Sequence, residues 1–122
     1  LGNARLTQEK VDGQDLLHIR AQESCAASWR TRALLERGQY RLEGRVRQQG
    51  VVLDEQDAKA GAGLRISRRK FSRKISGDMN WAATTFDFEV AEDQADMEIV
   101  CELRAKQGDV WFELGSLRLL RR

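Results

Sequence analysis

The chain has 122 residues, 41% of them hydrophobic and 33% charged, and a formal net charge of +2 at pH 7. These proportions are typical of one globular domain and exclude a disordered polyelectrolyte. The apolar runs are all shorter than the roughly 20 residues that a helix needs to cross a bilayer, so the sequence predicts no membrane span.

Turn signals, mostly glycine beside an acidic or polar residue, divide the chain at short intervals, and the runs between them have strand character. In chain order the predicted strands are 4–9, 16–21, 28–35, 39–47, 63–67, 83–90, 97–105 and 110–119. The good helix formers of 28–37 permit a helix there. Apolar and polar residues nevertheless alternate with period two, and Gly38 leads directly into the next strand, so we predict a strand.

The alternation is cleanest in 39–47, where Tyr40, Leu42 and Val46 share one parity. Successive side chains of a strand point to opposite faces, so this parity is predicted to face the core. The other parity is predicted to be solvated, and it holds Arg41, Glu43, Arg45 and Arg47. The same reasoning places Glu98, Glu102 and Arg104 on a solvated face.

The end of the chain has two alternating runs, 97–104 and 110–114, joined by Lys106-Gln107-Gly108-Asp109. Period two around a Gly-Asp turn predicts an antiparallel hairpin with one buried face. Cys101 shares the parity of its apolar neighbours, which predicts a small core residue. Cys25 and Cys101 permit one disulfide without requiring it.

Four segments of the sequence follow one another in a familiar order. They are Gly38-Gln39-Tyr40 at the entry to a strand, Gly63-Leu64-Arg65-Ile66, Trp81 ahead of Phe86-Asp87-Phe88-Glu89-Val90, and the closing Gly108-Asp109-Val110-Trp111-Phe112-Glu113. Between residues 35 and 119 this layout resembles the galactose-binding-like jelly rolls, especially carbohydrate-binding modules of bacterial glycoside hydrolases. The resemblance implies an all-β fold, an antiparallel β-sandwich of jelly-roll type with about eight strands.

We expect residues 1–122 to form a single β-sandwich domain of a longer chain, since the sequence begins without an initiator Met or a leader. The resemblance implies a non-catalytic accessory module of an exported bacterial protein, extracellular or periplasmic. Its expected partner is a carbohydrate or another domain of the parent protein. Glu113 stands where the family often has an aspartate that helps to hold calcium, so Glu113 is a calcium candidate, and no other cofactor is implied.

Sugar recognition uses a flat ring against the pyranose face and polar groups for the hydroxyls. Most aromatic residues here have core parity, whereas Trp111 has the opposite parity to Phe112 and Trp81 lies at a junction between a loop and a strand. The predicted ligand-binding residues are Trp81, Trp111, Phe71, Arg68 and Arg45. The alternative is that these rings fill the core, which is the commoner role of large aromatic side chains.

The run 65–74 holds six cationic residues and no acidic one, which is typical of a surface that binds anions. One alternative function is therefore a structural or protein-interaction domain whose basic loop docks an anionic partner. Another is a solvated loop whose charge prevents edge pairing. Nucleic acid is disfavoured because 19 acidic residues balance the basic charge of the chain.

Catalytic motifs are missing from the sequence. His18 is the single histidine, without a Ser or Cys motif that would complete a triad. Neither a zinc-type spacing of Cys and His nor a phosphate-binding glycine loop occurs. The sequence therefore predicts a binding domain rather than an enzyme.

Overall fold

Segments with period-two alternation form seven strands in the computed structural model, which describes residues 4–57, 60–67 and 77–122. All pairings between these strands are antiparallel. The predicted all-β antiparallel fold is confirmed. The strands are β1 (Ala4–Val11), β2 (Gln14–Ala21), β3 (Cys25–Val52), β4 (Gly61–Ile66), β5 (Gly77–Ala105), β6 (Gln107–Glu113) and β7 (Arg118–Arg121), with a 3-10 turn, Leu114–Ser116, before the last.

Two long strands replace four of the predicted short ones. β3 spans both 28–35 and 39–47, and β5 spans both 83–90 and 97–105. These two strands pair from Cys25 with Ala105 to Val51 with Gly77, with a register shift between Glu36 and Gly38. Gly38, which was expected to separate two strands, therefore lies at an irregularity within one long strand.

The strands follow the order β1-β2-β6-β3-β5-β4, with β7 beside β3. The wide region consists of β1, β2, β6 and β7 with residues 38–52 and 77–90. The narrow region consists of β4 with residues 25–36 and 94–105. Each long strand thus contributes one half to each region.

The two regions bury one apolar core between them. Gly44 in the wide region approaches β4 so closely that a Cβ there would lie 3.2 Å from Leu64 Cδ1. A single cluster of buried side chains joins residues of both regions, among them Ile19, Val46, Phe112, Leu64 and Leu103. Both regions of one seven-stranded sheet therefore contribute side chains to a single core.

The predicted core parity is confirmed for Tyr40, Leu42 and Val46, which are all buried. Cys101 is likewise buried and is a free thiol, as expected of a small core residue. Glu102, expected to be solvated, is instead buried, because Arg65 on the neighbouring β4 donates to both of its carboxylate oxygens at 2.9 Å.

The predicted terminal hairpin is wrong. Within the described residues β5 does not pair with β6, which instead lies between β2 and β3. The Lys106 N–H donates to the Val52 carbonyl at 2.7 Å, so the chain crosses from the narrow to the wide region at this point. The predicted strand 110–119 is also interrupted, because β6 ends at Glu113.

Helical structure contributes little to the described part of the chain. None of its helices is long and apolar enough to span a bilayer.

Candidate functional site

The outer face of the wide region brings together two tryptophans that are 30 positions apart in the sequence, Trp81 on β5 and Trp111 on β6. Trp111 faces outward because its neighbours Val110 and Phe112 are fully buried on the other side of the strand. β3 lies between the two strands and places a guanidinium near each ring. Arg45 Cζ is 5.7 Å from the centroid of Trp81, and Arg47 Cζ is 5.0 Å from that of Trp111.

We call Arg45, Arg47, Trp81, Trp111 and Glu113 the tryptophan face. Three of the residues predicted to bind a ligand therefore lie together. The other two, Phe71 and Arg68, fall outside the described residues. The same is true of most of the basic run 65–74, and its first cation, Arg65, is already paired with Glu102.

Trp111 lies between two side chains rather than presenting a free ring. In the sheet it pairs with His18 on β2 and with Arg47 on β3. The His18 ring stacks on the indole, with centroids 4.5 Å apart and an interplanar angle of 16°. His18 and Arg47 come from the two strands that flank β6, and both contact the indole.

His18 is held at both ring nitrogens. Nδ1 lies 2.6 Å from Glu9 Oε2, and Nε2 lies 2.7 Å from Asp109 Oδ1. A neutral imidazole has only one N–H, so only the doubly protonated ring donates to both carboxylates. The Arg20 Nε–H also donates to Asp109 Oδ1, at 2.8 Å.

The hydrogen bond from His18 is the main cause that lowers the pKa of Glu9, and the charge of His18 and hydrogen bonds from Thr7 and Trp111 add to it. Partial burial of the carboxyl opposes this change.

Sequence reasoning missed the cluster formed by His18, Glu9 and Asp109. The alternation does place His18 outward with Arg20, but Glu9 and Asp109 come from two other strands whose register no local pattern reveals.

Trp81 lies nearer the edge of the sheet than Trp111. It is half-buried on residues 77–90 of β5, which pair with β3 on one side and with no described strand on the other. Arg45, on the neighbouring β3, lies over this ring. Arg45 also approaches Glu113, with Nη1 3.7 Å from Oε2, which is longer than a hydrogen bond.

Glu113, the calcium candidate, has this guanidinium as its nearest charged neighbour. Calcium takes six to eight oxygen ligands, often from several carboxylates. Within 4–57, 60–67 and 77–122, no group of three or more His, Cys, Asp or Glu side chains has the arrangement of a metal site.

A second surface feature is an open depression at the register shift, lined by Glu36, Arg37, Asp93, Gln94 and Arg121. Its two arginines already form ion pairs, Arg37 with Asp93 at 3.1 Å and Arg121 with Glu36 at 3.3 Å. The depression therefore offers fewer uncommitted groups than the tryptophan face.

The chain matches no protein-family model, and no curated protein matches it at a significant level.

Proposed function

We propose that this protein is a non-catalytic carbohydrate-binding module that binds its ligand at the tryptophan face. The observation that carries the proposal is the position of Trp81. Trp81 is half-buried on the outer face of the sheet, beneath the Arg45 guanidinium, and lies on a segment of β5 that pairs with β3 on one side and with no described strand on the other. A sugar ring stacks on such an apolar plane while neighbouring polar groups bond its hydroxyls.

The polar groups around Trp81 suit this role. Arg45 beside the ring supplies N–H donors, and Glu113 on β6, whose Oε2 lies 3.7 Å from Arg45 Nη1, supplies carboxylate acceptors. Sugar hydroxyls both donate and accept, so a pair of this kind matches them. The resemblance to galactose-binding-like jelly rolls supports the same ligand class, since a solvated sheet face can serve there as the binding cleft.

The hydrogen bonds of His18 also agree with a binding role. Both ring nitrogens are occupied by carboxylates, so neither is available to move a proton on a substrate. We place the module in an exported protein, extracellular or periplasmic, as an accessory to a larger chain.

Affinity electrophoresis through gels that contain single polysaccharides, followed by a glycan array, tests the proposal. We expect retardation by at least one polysaccharide, and Trp81→Ala to weaken its binding about tenfold, the loss of one stacking contact of about 1.4 kcal/mol. Trp81→Phe keeps a ring and should retain most of the affinity.

Leu34→Ala is the control, because Leu34 is 68% exposed and belongs to the narrow region. It should bind like the wild type. Failure of every glycan to retard the wild-type protein would overturn the proposal, as would full binding by a folded Trp81→Ala variant.

A further inference from the structure

We infer that the carbohydrate bound at the tryptophan face is acidic and that Arg47, assisted by Arg45, receives its carboxylate or sulfate group. This inference rests on the proposed function and adds the chemical class of the ligand to it. The two groups named share the chemistry that matters here, a compact anion with several oxygen acceptors.

The state of Arg47 differs from that of most arginines in the described residues. Elsewhere a carboxylate oxygen lies within 3.3 Å of the guanidinium, as for Arg20, Arg30, Arg32, Arg37, Arg41, Arg65, Arg104, Arg121 and Arg122. Arg47 is exposed, and no carboxylate of the described chain lies within the 4.0 Å of an ion pair. Most of these arginines are thus paired with a carboxylate, whereas Arg47 carries an unpaired charge beside the proposed ligand site.

Stacking prepares Arg47 for an anion. The guanidinium Cζ lies over the Trp111 ring, 5.0 Å from its centroid, and this cation–π contact restricts the side chain. The N–H donors lie in the plane of the guanidinium and remain available at its edge, where they fit a carboxylate or a sulfate with two parallel hydrogen bonds. Because the contact with Trp111 already restricts the side chain, less conformational entropy is lost when the anion binds.

The nearby acidic groups do not cancel this charge. Glu9 and Asp109 are held by His18, and Asp109 also by Arg20. Glu113 faces Arg45 at 3.7 Å, outside hydrogen-bond distance. Arg45 and Arg47 share the outer side of β3 at a spacing of about 7 Å, so both can reach one ligand.

The test uses two matched pairs of probes, dextran with dextran sulfate and galactan with polygalacturonate. Each pair compares a neutral polymer with an acidic one, and the two acidic members distinguish sulfate from carboxylate as the source of the anion. We expect binding to at least one acidic probe about tenfold tighter than to its neutral counterpart. Raising NaCl from about 50 to 300 mM should weaken that binding.

Arg47→Ala should lose about tenfold in affinity for the acidic probe and little for a neutral one. Arg47→Met keeps an apolar stem on the indole without the charge, and it should show the same loss if the variant with alanine folds poorly. Arg118→Ala is the matched control, since Arg118 is also exposed on the wide region and its removal changes the net charge equally. This control should bind within about twofold of the wild type.

Equal binding of neutral and acidic probes, with Arg47→Ala unaffected, would overturn this inference and leave the proposed function standing. Equal losses in Arg47→Ala and Arg118→Ala would also overturn it, since they would indicate attraction by overall charge alone. Absence of binding to all four probes and to the glycan array would overturn both proposals.

Discussion

The imidazole of His18 stacks on the indole of Trp111, with ring centroids 4.5 Å apart and an angle of 16° between the planes. The contact joins β2 to β6, which lie side by side in the wide region. His18 is also hydrogen-bonded through both nitrogens to carboxylates of β1 and β6. One side chain therefore connects three strands through two different interactions.

Substitution of His18 should separate these two interactions. We expect His18→Ala to lower the free energy of unfolding by about 2 kcal/mol, because it removes both the stack and the hydrogen bonds. His18→Phe keeps a ring on Trp111 and should recover about 1 kcal/mol of that loss. Urea unfolding monitored by tryptophan fluorescence measures both values, and equal stability of the two variants would show that the stack contributes nothing.

The pKa of Glu9 predicts how stability depends on pH. His18 lowers this pKa from its ordinary value of 4.5, so the folded state binds the proton less readily than the unfolded state. The resulting stabilisation is complete above 4.5 and is lost as the pH falls through the lowered pKa of the folded state. Lowered pKa values of Asp87 and Glu98, caused mainly by hydrogen bonds from Arg41 and Arg30, act in the same direction.

We therefore expect the free energy of unfolding to decrease between about pH 5 and pH 3, and the decrease to be smaller in Glu9→Gln. Glu55→Gln, an exposed carboxylate outside the strands, is the charge-matched control. Denaturant titrations across this range would contradict the assignment if Glu9→Gln and Glu55→Gln gave the same slope as the wild type.

The ion pair of Arg65 with Glu102 should matter far more than an exposed pair. The side chains of these residues are only 17% and 10% exposed, and the hydrogen bond to Glu102 is the main cause that raises the pKa of Arg65. Arg65→Met leaves a buried carboxylate without its partner and should cost about 3 kcal/mol. Arg32→Met removes a pair whose side chains are 67% and 56% exposed and should cost less than about 0.5 kcal/mol. Thermal unfolding of the two variants gives the comparison, and similar melting temperatures would contradict it.

The thiol of Cys101 should be unreactive in the folded protein. Burial raises its pKa to about 12, and only the thiolate attacks a disulfide reagent. In a Cys25→Ser background Cys101 is the remaining thiol, so an aromatic disulfide reagent at about pH 8 should react only after unfolding by guanidinium chloride. Rapid reaction without denaturant would show that the core opens at this position.

Local patterns in the sequence predicted the faces of the strands but not their partners. Tyr40 and Leu42 could be assigned to the core because parity alone determines the side of a strand to which a residue points. Pairing is decided by contacts between distant segments, which parity does not encode. For this reason 97–104 and 110–114 resembled a hairpin, although β6 pairs with β2 and β3 instead.

The same distinction between strand faces and strand partners applies to the candidate site. The outward direction of Trp111 and Arg45 was readable from alternation with their buried neighbours. The contacts of His18 and Arg47 with Trp111 were not, since they depend on the registers that join β6 to β2 and to β3. Only the arrangement of strands showed that Trp111 lies on an inner strand of the wide region and Trp81 on a segment with no described strand beside it.

Gly108 explains how the chain makes the crossover that replaces the predicted hairpin. It has φ of +129°, and a Cβ at this position would lie 2.6 Å from the Cα of Val51 and 2.9 Å from the carbonyl oxygen of Gly50. Both neighbours are backbone atoms, which cannot move aside as a side-chain end can. Gly108→Ala should therefore lower the free energy of unfolding by about 3 kcal/mol, through strain and steric overlap together.

Gly115→Ala is the control for Gly108, because a Cβ at Gly115 would meet no atom within 4 Å. Its stability should stay within about 0.5 kcal/mol of the wild type. Since Gly108 precedes Asp109, the variant should also disturb the carboxylate that faces His18 Nε2. Urea unfolding of both variants, with the near-ultraviolet circular dichroism of Trp111 as a second probe, tests the prediction. Equal stability of the two variants would show that β6 can move away from Val51 at no cost.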